Sequence, residues 1–429
     1  METLTVFYEQ RLVGYLSIDP ERRFSFSYSR EWLGSPAAFQ ISISMPLQNG
    51  AFPHDTVKSF FSNLLPESAV RTLISKQLGI SDKNDFMLLK RIGGECAGAL
   101  SILPESEKPE SPDQYQYRSL PEEQFSDLIR QIPRRPLLAG QDGVRISLAG
   151  AQDKLALFQK NSGFYIPMNG APSNVILKPA MAHFEFSVEN ECFCMMLAGA
   201  LGLTVPPVSI VQAKSQKALL IERYDRYPDN GVIRRIHQED LCQAMGLSHE
   251  LKYEADGGPG FRACFELIRV YSANPIKDLQ QLMGWVFFNF LTGNMDGHAK
   301  NLSLMYQGKQ VRLAPLYDMM CTDIYEDLSK KLAMKIGGEN RPEWIMERHW
   351  QRFSQEIKIS STVLMKRLTA FCMKLIGQID RVHANFISSY QKVRLVDDIV
   401  TLIKKRARTT LTRMDGGWGR TKQEGCQLR

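Results

Sequence analysis

About the first hundred residues alternate apolar and polar side chains, which is the pattern of half-buried β-strands. TLTVFYEQRLVGYLSID predicts two strands joined by a polar turn, FSFSYS predicts a third, and TVKSFFSNLLPES predicts a helix that ends near Pro66. The Pro-rich and charged stretch PESEKPESPDQYQYR, residues 104–118, predicts a surface linker. We therefore expect a β-rich N-terminal module over residues 1–118.

Strand patterns continue as far as residue 237, and helical spacing dominates over residues 238–429. VRISLAGAQDKLALFQKNSGFYIP predicts strand, loop, strand, turn and strand, and SNVILKP predicts a further strand. A helix is predicted over EFSVENECFCMMLAGALGL, a hairpin in PPVSIVQAKSQKALLIERYDR, and one later hairpin in NLSLMYQGKQVRLAPLYD. The predicted fold class is α+β, with a strand-rich lobe (119–237) followed by a mainly helical lobe, which is the two-lobed order of protein kinases.

The composition is that of an ordinary globular protein, with 44% hydrophobic and 23% charged residues among 429. No apolar run approaches the roughly 20 residues of a membrane helix, and METLTVFYEQ lacks the features of an export signal. The eight cysteines are scattered, without the paired clusters that a zinc site requires. We therefore expect a cytoplasmic protein with reduced thiols and no membrane association.

Positive charge is concentrated at the C-terminal end of the chain. The segment from Leu402 to Arg429 carries eight Lys or Arg residues against two acids, while the net charge of the whole chain is +7. The rest of the chain is therefore close to neutral and does not predict a basic face for nucleic acid. The run KKRAR could contact DNA phosphates or an acidic partner, although a solvated helix end is the simpler interpretation.

The strongest candidate for chemistry is GNMDGHAKNLSLMY, which directly follows the apolar run QQLMGWVFFNFLT. Asp296 and Asn301 are five residues apart, as in the D-x-x-x-x-N catalytic loop of protein kinases. In such a loop the Asp accepts the proton of the substrate hydroxyl and the Asn holds magnesium. Asp318 ends the next hairpin, where kinases place a second magnesium ligand, although YDM contains no Phe and no Gly follows. Taken alone, a polar loop and a structural acid would also explain these residues.

A kinase also needs groups that contact the phosphates. Lys178 closes the apolar run NVILK, like the Lys of V-A-I-K, although a lysine that merely extends from a strand end is the alternative. Glu189 or Glu191 in the next helix could pair with it, and the sequence does not choose between them. SLAGAQDK (Ser147–Lys154) could present backbone N–H groups to phosphates, although it matches neither G-x-G-x-x-G nor Walker A and could be a simple hairpin turn. GGECAGA and DGGPG are interpreted as turns.

The set of motifs resembles the HipA family, the bacterial serine/threonine-kinase toxins of HipA–HipB toxin–antitoxin pairs. Seven motifs occur in the family's order: RISLAGAQDK, ILKP, IERYDR, QEDLCQAMG, DGGPG, DGHAKN and PLYD. The resemblance covers nearly the full chain, including FFSNLLPES in the N-terminal module. It implies that Asp296 is the catalytic base, that Asn301 and Asp318 are magnesium ligands, and that Lys178 contacts the phosphates.

The resemblance also implies the remaining contacts to ATP. The loop over the phosphates would comprise Ala149, Gly150, Ala151, Gln152, Asp153 and Lys154. The hinge at the adenine would comprise Glu222, Arg223 and Tyr224. The residues beside the nucleotide would be His298, Ala299, Lys300 and Tyr317. Ser147 is implied to be an autophosphorylated serine. A dianion added beside the phosphate loop should repel the nucleotide or expel the loop.

The implied cofactors are ATP and Mg²⁺, and the implied partner is a HipB-like helix-turn-helix antitoxin. Operator DNA would be bound mainly through that partner, and the protein substrate would be a translation component, notably glutamyl-tRNA synthetase. Two alternatives remain, and the first would use the same site residues. One is a kinase-fold enzyme that phosphorylates a small molecule such as a sugar or an antibiotic, and the other is a non-catalytic co-repressor.

Overall fold

The computed structural model describes residues 1–424, and their side chains as far as Met414. The chain forms two compact units. Unit 1 consists of three segments, Met1–Val188, Pro206–Lys252 and Leu302–Ala314. Unit 2 consists of Glu189–Val205, Tyr253–Asn301 and the chain from Pro315 onward. The domain boundaries predicted after residues 118 and 237 stay predictions.

Unit 1 begins with a five-stranded antiparallel sheet made of β1 (Glu2–Tyr8), β2 (Arg11–Ile18), β3 (Phe24–Tyr28), β4 (Ala51–Phe52) and β5 (Leu100–Pro104). Its strand order is β4-β3-β2-β1-β5. Four helices belong to this part of the chain: α1 (Arg30–Leu33), α2 (His54–Ser62), α3 (Ser68–Leu78) and α4 (Asp85–Ile92). The predicted helix thus ends at Ser62, and Pro66, which cannot donate a backbone hydrogen bond, lies between α2 and α3.

A second sheet of unit 1 carries the predicted phosphate loop and Lys178. Its strands are β6 (Tyr117–Leu120), β7 (Leu155–Lys160), β8 (Gly163–Pro167), β9 (Val175–Pro179), β10 (Val208–Ala213) and β11 (Gln216–Glu222), in the order β10-β11-β9-β7-β8-β6. Helix α5 (Glu122–Gln131) follows β6, and α6 (Ser187–Ala200), which lies mostly in unit 2, follows β9.

Two predicted features of this region differ from the structure. The predicted linker 104–118 ends inside β6. The predicted strand VRISL forms only an isolated bridge between Ile146 and Glu95, because its hydrogen bonds go to the single residue Glu95 rather than to a neighbouring strand.

Two smaller sheets complete unit 1. One pairs β12 (Arg226–Asp229) with β13 (Val232–Arg235), and the other contains β14 (His237–Asp240), β15 (Ser303–Gln307) and β16 (Gln310–Leu313), with α7 (Leu241–Ala244) after β14. The hairpin predicted after the candidate catalytic loop is therefore present. It begins at Ser303 rather than at Asn301, because Ala299–Asn301 form a turn of 3₁₀ helix.

Unit 2 is helical and contains α8 (Phe261–Tyr271), α9 (Pro275–Thr292), α10 (Glu347–Glu356), α11 (Ser361–Tyr390) and α12 (Arg394–Glu424). The sequence of α9 is apolar on nearly every side, as expected for a helix inside a core. Trp285 and Phe287 of α9 are buried, and the Phe287 ring packs edge-to-face on Trp350 with centroids 5.7 Å apart. Within residues 1–424, no helix combines the length and the apolar character needed to cross a bilayer.

Most of the basic C-terminal segment lies on α12, where several side chains make internal contacts. Lys404 pairs with Asp380. Arg406 pairs with Asp323, and Arg413 donates to the carbonyl oxygens of Ile345 and Glu343. The side chains of Arg420 and Lys422, and the whole of Arg429, lie outside the described residues. These contacts favour a structural role for this part of the segment.

Candidate active site

The loop between α9 and β15 presents Asp296 to solvent on an otherwise buried stretch of chain. From Leu291 to Asn301, every residue except Asp296 is buried. Helix α9 ends at Gly293, whose left-handed backbone (φ 75°) turns the chain away from the helix. A side chain at Gly293 would come within 2.7 Å of the Asp323 side chain, so this tight turn requires glycine.

Two asparagines that precede Asp296 hold the backbone of the loop. Asn294 accepts a hydrogen bond from the Asp296 backbone N–H through Oδ1 (3.2 Å), and its own amide donates to Asn289 Oδ1 (3.1 Å). Asn289 lies on α9, so the loop is tied to the preceding helix. These two asparagines therefore fix the loop backbone without bonding to the Asp296 carboxylate.

A second set of contacts to the first part of the loop comes from residues that follow Asp318 in the chain. Thr322 Oγ1 accepts from the Met295 backbone N–H at 2.7 Å, and the Asp323 backbone N–H donates to Gly293 O at 2.9 Å. Arg406 of α12 donates to Phe290 O at 3.2 Å and to Asp323 Oδ2 at 2.5 Å. The guanidinium thus satisfies a carbonyl near the end of α9. None of these supporting residues was predicted from the sequence.

Asn301 and Asp318 lie together, as their predicted roles require. The Asn301 amide donates to Asp318 Oδ2 at 3.0 Å, and Asn301 Oδ1 accepts from the His298 backbone N–H at 3.0 Å. Asp318 adopts the left-handed region (φ 61°), which Asp tolerates better than most residues. Carboxylate and amide oxygens are the ligand types that Mg²⁺ prefers, and protein sites for this ion usually supply only one or two carboxylates. The residues present therefore fit a magnesium ion.

The other predicted nucleotide contacts of unit 2 lie on the same loop and hairpin. His298, Ala299 and Lys300 are buried next to Asn301. The Tyr317 hydroxyl donates to the Lys300 carbonyl oxygen at 2.7 Å, which ties the residue before Asp318 to the catalytic loop. In unit 2 the structure therefore brings together all the residues predicted from GNMDGHAKN and PLYD.

Tyr253 also belongs to this site, although it was not predicted. Its hydroxyl donates to Asp296 Oδ1 at 2.6 Å. The only signal in the sequence was its place just before the predicted turn DGGPG, and that signal does not indicate a partner.

The predicted phosphate loop, Ser147–Lys154 in unit 1, is held against the N-terminal module. Ser147 is fully buried, and its hydroxyl donates to Leu64 O at 2.7 Å. Gly150, with φ 107°, accepts from the Glu67 backbone N–H at 3.1 Å, and Lys154 Nζ donates to Ala149 O at 2.7 Å. The side chains of Ala151, Gln152 and Asp153 are exposed or half-buried, and burial raises the pKa of Asp153.

Lys178 is buried in β9, in the interior of the second sheet, and is paired in register with Leu219 of β11. This position differs from that of a lysine extending freely from a strand end, the alternative that the sequence left open. Its candidate partners, Glu189 and Glu191, are both buried in the first turns of α6.

The predicted hinge, Glu222–Tyr224, begins at the last residue of β11, and its first two backbone N–H groups are already paired. Glu222 donates to Pro207 O at 3.0 Å and Arg223 to Asn174 O at 2.9 Å. The Arg223 side chain points into the interior, where it bonds Asp225 and Glu95. The contact of the hinge backbone with ATP stays a prediction. The guanidinium of Arg223 has a structural role that the sequence did not indicate.

Two family models match the chain. The HipA N-terminal domain matches residues 4–103, and the HipA-like C-terminal domain matches residues 146–382, more than half of the chain. The chain belongs to the HipA family. Its relatives include the Putative kinase Y4mE of Sinorhizobium fredii, which is 41% identical over 86% of this chain and 89% of that protein. They also include the serine/threonine-protein kinase toxin HipA of Shewanella oneidensis, which is 30% identical over 91% of this chain and 93% of that protein.

A solved structure agrees with this assignment. HipA in the Shewanella oneidensis complex of HipA, HipB and operator DNA superposes with a TM-score of 0.83, at 28% identity, over 96% of this chain and 99% of that chain. The predicted HipA resemblance, the α+β kinase-like fold and the protein-kinase class are thus confirmed. The roles of the individual HipA-family residues stay predictions, divided between unit 1 (Ser147–Lys154, Lys178, Glu222–Tyr224) and unit 2 (Asp296–Asn301, Tyr317, Asp318).

Proposed function

We propose that this HipA-family chain is the toxin kinase of a toxin–antitoxin pair and transfers the γ-phosphoryl group of ATP to a serine or threonine hydroxyl of another protein. The observation that supports this most strongly is the exposed Asp296 on a buried, hydrogen-bonded loop beside the Asn301–Asp318 pair. A catalytic base must be accessible to the acceptor hydroxyl and yet be held in a fixed position. The loop meets both requirements.

In the proposed mechanism, Asp296 orients the acceptor hydroxyl and takes its proton as the oxygen forms a bond to the γ-phosphorus and the bond to the β–γ bridging oxygen breaks. Lys178 contacts the phosphates and stabilises the charge that shifts onto the leaving ADP. Asn301 and Asp318 would hold Mg²⁺, which supplies further positive charge at the phosphates when bound. The remaining contacts to ATP come from Ala149–Lys154, Glu222–Tyr224, His298–Lys300 and Tyr317.

The proposed partner is a HipB-like helix-turn-helix antitoxin, by analogy with the Shewanella complex that contains HipA, HipB and operator DNA. Operator DNA would be contacted mainly through that partner. Arg406 and Arg413 already have partners within the chain, which supports DNA contact through the antitoxin rather than through these two cations. The proposed substrate is a translation component such as glutamyl-tRNA synthetase, and the proposed location is the cytoplasm.

Labelled ATP tests the proposed class of substrate. We expect the purified chain, incubated with magnesium, γ-labelled ATP and a bacterial lysate, to transfer label to protein, because the acceptor is proposed to be a protein hydroxyl. Chelation of magnesium should remove the labelling. A labelled small metabolite with no labelled protein would instead favour the small-molecule enzyme, and no transfer at all would favour the co-repressor.

Ser147 provides a second test, because its hydroxyl is fully buried against Leu64 O. A phosphate there would place a dianion beside a carbonyl oxygen in a space without solvent, so the loop has to leave its position. We expect mass spectrometry to find phosphate on Ser147 of the wild type and none on the Asp296→Gln variant. Ser147→Glu should weaken nucleotide binding at least about tenfold, since a buried, uncompensated charge costs several kcal/mol.

Ser162→Glu is a matched control for this experiment, because Ser162 is exposed in the turn between β7 and β8. It should bind nucleotide as the wild type does. Equal nucleotide affinity of the Ser147→Glu variant and the wild type would contradict the proposed control of the loop.

A further inference from the structure

Tyr253 makes two contacts with the catalytic loop. Its hydroxyl donates to Asp296 Oδ1 at 2.6 Å, and its ring packs edge-to-face on the His298 ring, with centroids 5.0 Å apart and planes at 82°. Asp296 and His298 lie on either side of Gly297. The Tyr253 side chain therefore contacts the loop both at the proposed catalytic base and two residues after it. All of these residues belong to unit 2.

The backbone of Tyr253 is itself fixed by the turn that follows it. Its carbonyl oxygen accepts from the N–H groups of Asp256 at 3.1 Å and Gly258 at 2.9 Å. Gly257 between them has φ 90°, a conformation that favours glycine. The neighbouring side chain of Glu254 accepts from the Lys335 backbone N–H at 2.7 Å. The motif DGGPG, which the proposed mechanism does not otherwise use, thus anchors the residue that contacts Asp296.

A carboxylate on a short side chain needs such a contact to hold one orientation. The last torsion of Asp has a broad, roughly two-fold distribution, so the loop backbone alone does not fix which oxygen faces the acceptor. A hydrogen bond from a neutral hydroxyl to an ionised carboxylate is short and strong. With Oδ1 bound by Tyr253, rotation of the carboxylate is restricted and Oδ2 is left to receive the acceptor hydroxyl.

We propose that Tyr253 is a positioning residue for phosphoryl transfer, which orients the Asp296 carboxylate toward the acceptor hydroxyl. This inference rests on the proposed kinase mechanism and adds to it a residue from outside the catalytic loop. An alternative is that the tyrosine hydroxyl occupies the place of the acceptor and leaves when substrate arrives. The turn and the His298 contact oppose that alternative, because they hold Tyr253 in place independently of Asp296.

The experiment compares Tyr253→Phe with the wild type in transfer of phosphate to a protein acceptor. Phenylalanine keeps the ring against His298 and removes only the hydroxyl. We expect kcat to fall about tenfold or more, the effect of losing a hydrogen bond to a charged group, with the KM for ATP unchanged. Tyr271→Phe is the matched control, because Tyr271 is an exposed tyrosine of the same unit, and it should keep wild-type kcat.

A double variant separates positioning from a general structural effect. In an Asp296→Asn background, Tyr253→Phe should cause no further loss of the residual rate, because no carboxylate remains to be oriented. An equal loss in both backgrounds would overturn the proposal, and so would a kcat for Tyr253→Phe that equals or exceeds that of the wild type. Either result leaves the kinase mechanism standing if the wild type transfers phosphate. A wild type that transfers none overturns the mechanism and this inference together.

Discussion

Replacing Asp296 with Asn should lower the rate of phosphoryl transfer by about 10²–10⁴-fold, the usual contribution of a positioned general base. The carboxamide has the shape of the carboxylate but cannot take a proton from the acceptor. The loop should keep its conformation, because the contacts that fix its backbone use the N–H groups of Asp296 and Met295, and the Asn carboxamide oxygen can still accept from Tyr253. Phosphate incorporation into a protein acceptor measures the rate.

Nucleotide affinity and thermal unfolding provide the controls for this variant. Both should match the wild type, since Asp296 is exposed and its proposed partner is the acceptor rather than ATP. Asp327→Asn changes an exposed carboxylate of the same unit and should leave the rate unaltered. If Asp296→Asn kept its rate within a few fold of the wild type, Asp296 would not be the base, whatever its place on the loop.

The parts of the site that the sequence predicted correctly are those in which position along the chain determines position in space. Helix α9 could be recognised because it is apolar on nearly all sides, and the loop after it must then emerge from the core. The hairpin of β15 and β16 returns the chain directly, so the contact between Asn301 and Asp318 spans only 17 residues. Local pattern and short connections were enough to select these two residues as a pair, and their roles as magnesium ligands stay predictions.

The residues that the sequence did not predict depend on contacts between distant segments. Tyr253 is 43 residues from Asp296, and Arg406 is 116 residues from Phe290. A tyrosine before a turn and an arginine in a basic run have many possible partners, and only the packing of the helices selects one. KKRAR therefore indicated DNA, an acidic partner or a solvated helix end, although Arg406 in fact supports the candidate catalytic loop.

Arg223 shows the same limit in unit 1. Glu222–Tyr224 were predicted to form a hinge through their backbone, which stays a prediction, but the side chain of Arg223 belongs to a buried ion cluster with Glu95, 128 residues away. Side-chain exposure is 1% for Glu95, Arg223 and Arg226 and 4% for Asp225. Nothing in the local pattern indicates that these charges are buried, because arginine and glutamate are usually exposed.

The charges in this ion cluster stabilise one another. Arg223 and Arg226 approach Glu95 at 3.1 and 2.8 Å, and Arg223 approaches Asp225 at 2.7 Å. Burial by itself raises the pKa of Glu95, but the guanidinium groups of Arg223, Arg226 and Arg235 outweigh it and hold the pKa below its ordinary 4.5. Asp225 is held at a pKa of about 2 by Arg223 and Arg226, against the opposing effect of burial. Removing one acid would therefore leave a buried positive charge without its partner.

Glu95→Gln should lower the free energy of unfolding by about 3–5 kcal/mol, the cost of breaking a buried ion pair on one side. Glutamine has nearly the volume of glutamate and can still accept a hydrogen bond from Ser173. The decrease in unfolding free energy therefore measures the loss of the charge and not the creation of a cavity. Denaturant unfolding followed by fluorescence measures it. Glu107→Gln is the control, because Glu107 forms an exposed ion pair with Arg145, and it should cost at most about 1 kcal/mol.

The dependence of stability on pH adds a signature that a packing defect would not produce. A carboxyl group whose pKa is depressed by folding stabilises the protein above its ordinary pKa, and this contribution is lost as pH falls through the folded-state value. Below pH 4.5 the wild type should therefore lose the contribution of Glu95, which Glu95→Gln lacks at every pH. The difference in unfolding free energy between the two proteins should shrink as the solution is acidified.

Removing Arg226 as well should recover part of the lost stability. Burial lowers the pKa of Arg226 to about 10, so it is the less favourably placed cation, and Glu95→Gln with Arg226→Met leaves the Arg223–Asp225 pair balanced. A buried charge without a partner costs more than the absence of the whole pair, so the double variant should be more stable than Glu95→Gln alone. Additive losses would show that the two side chains contribute independently and that the ion cluster does not act as one unit.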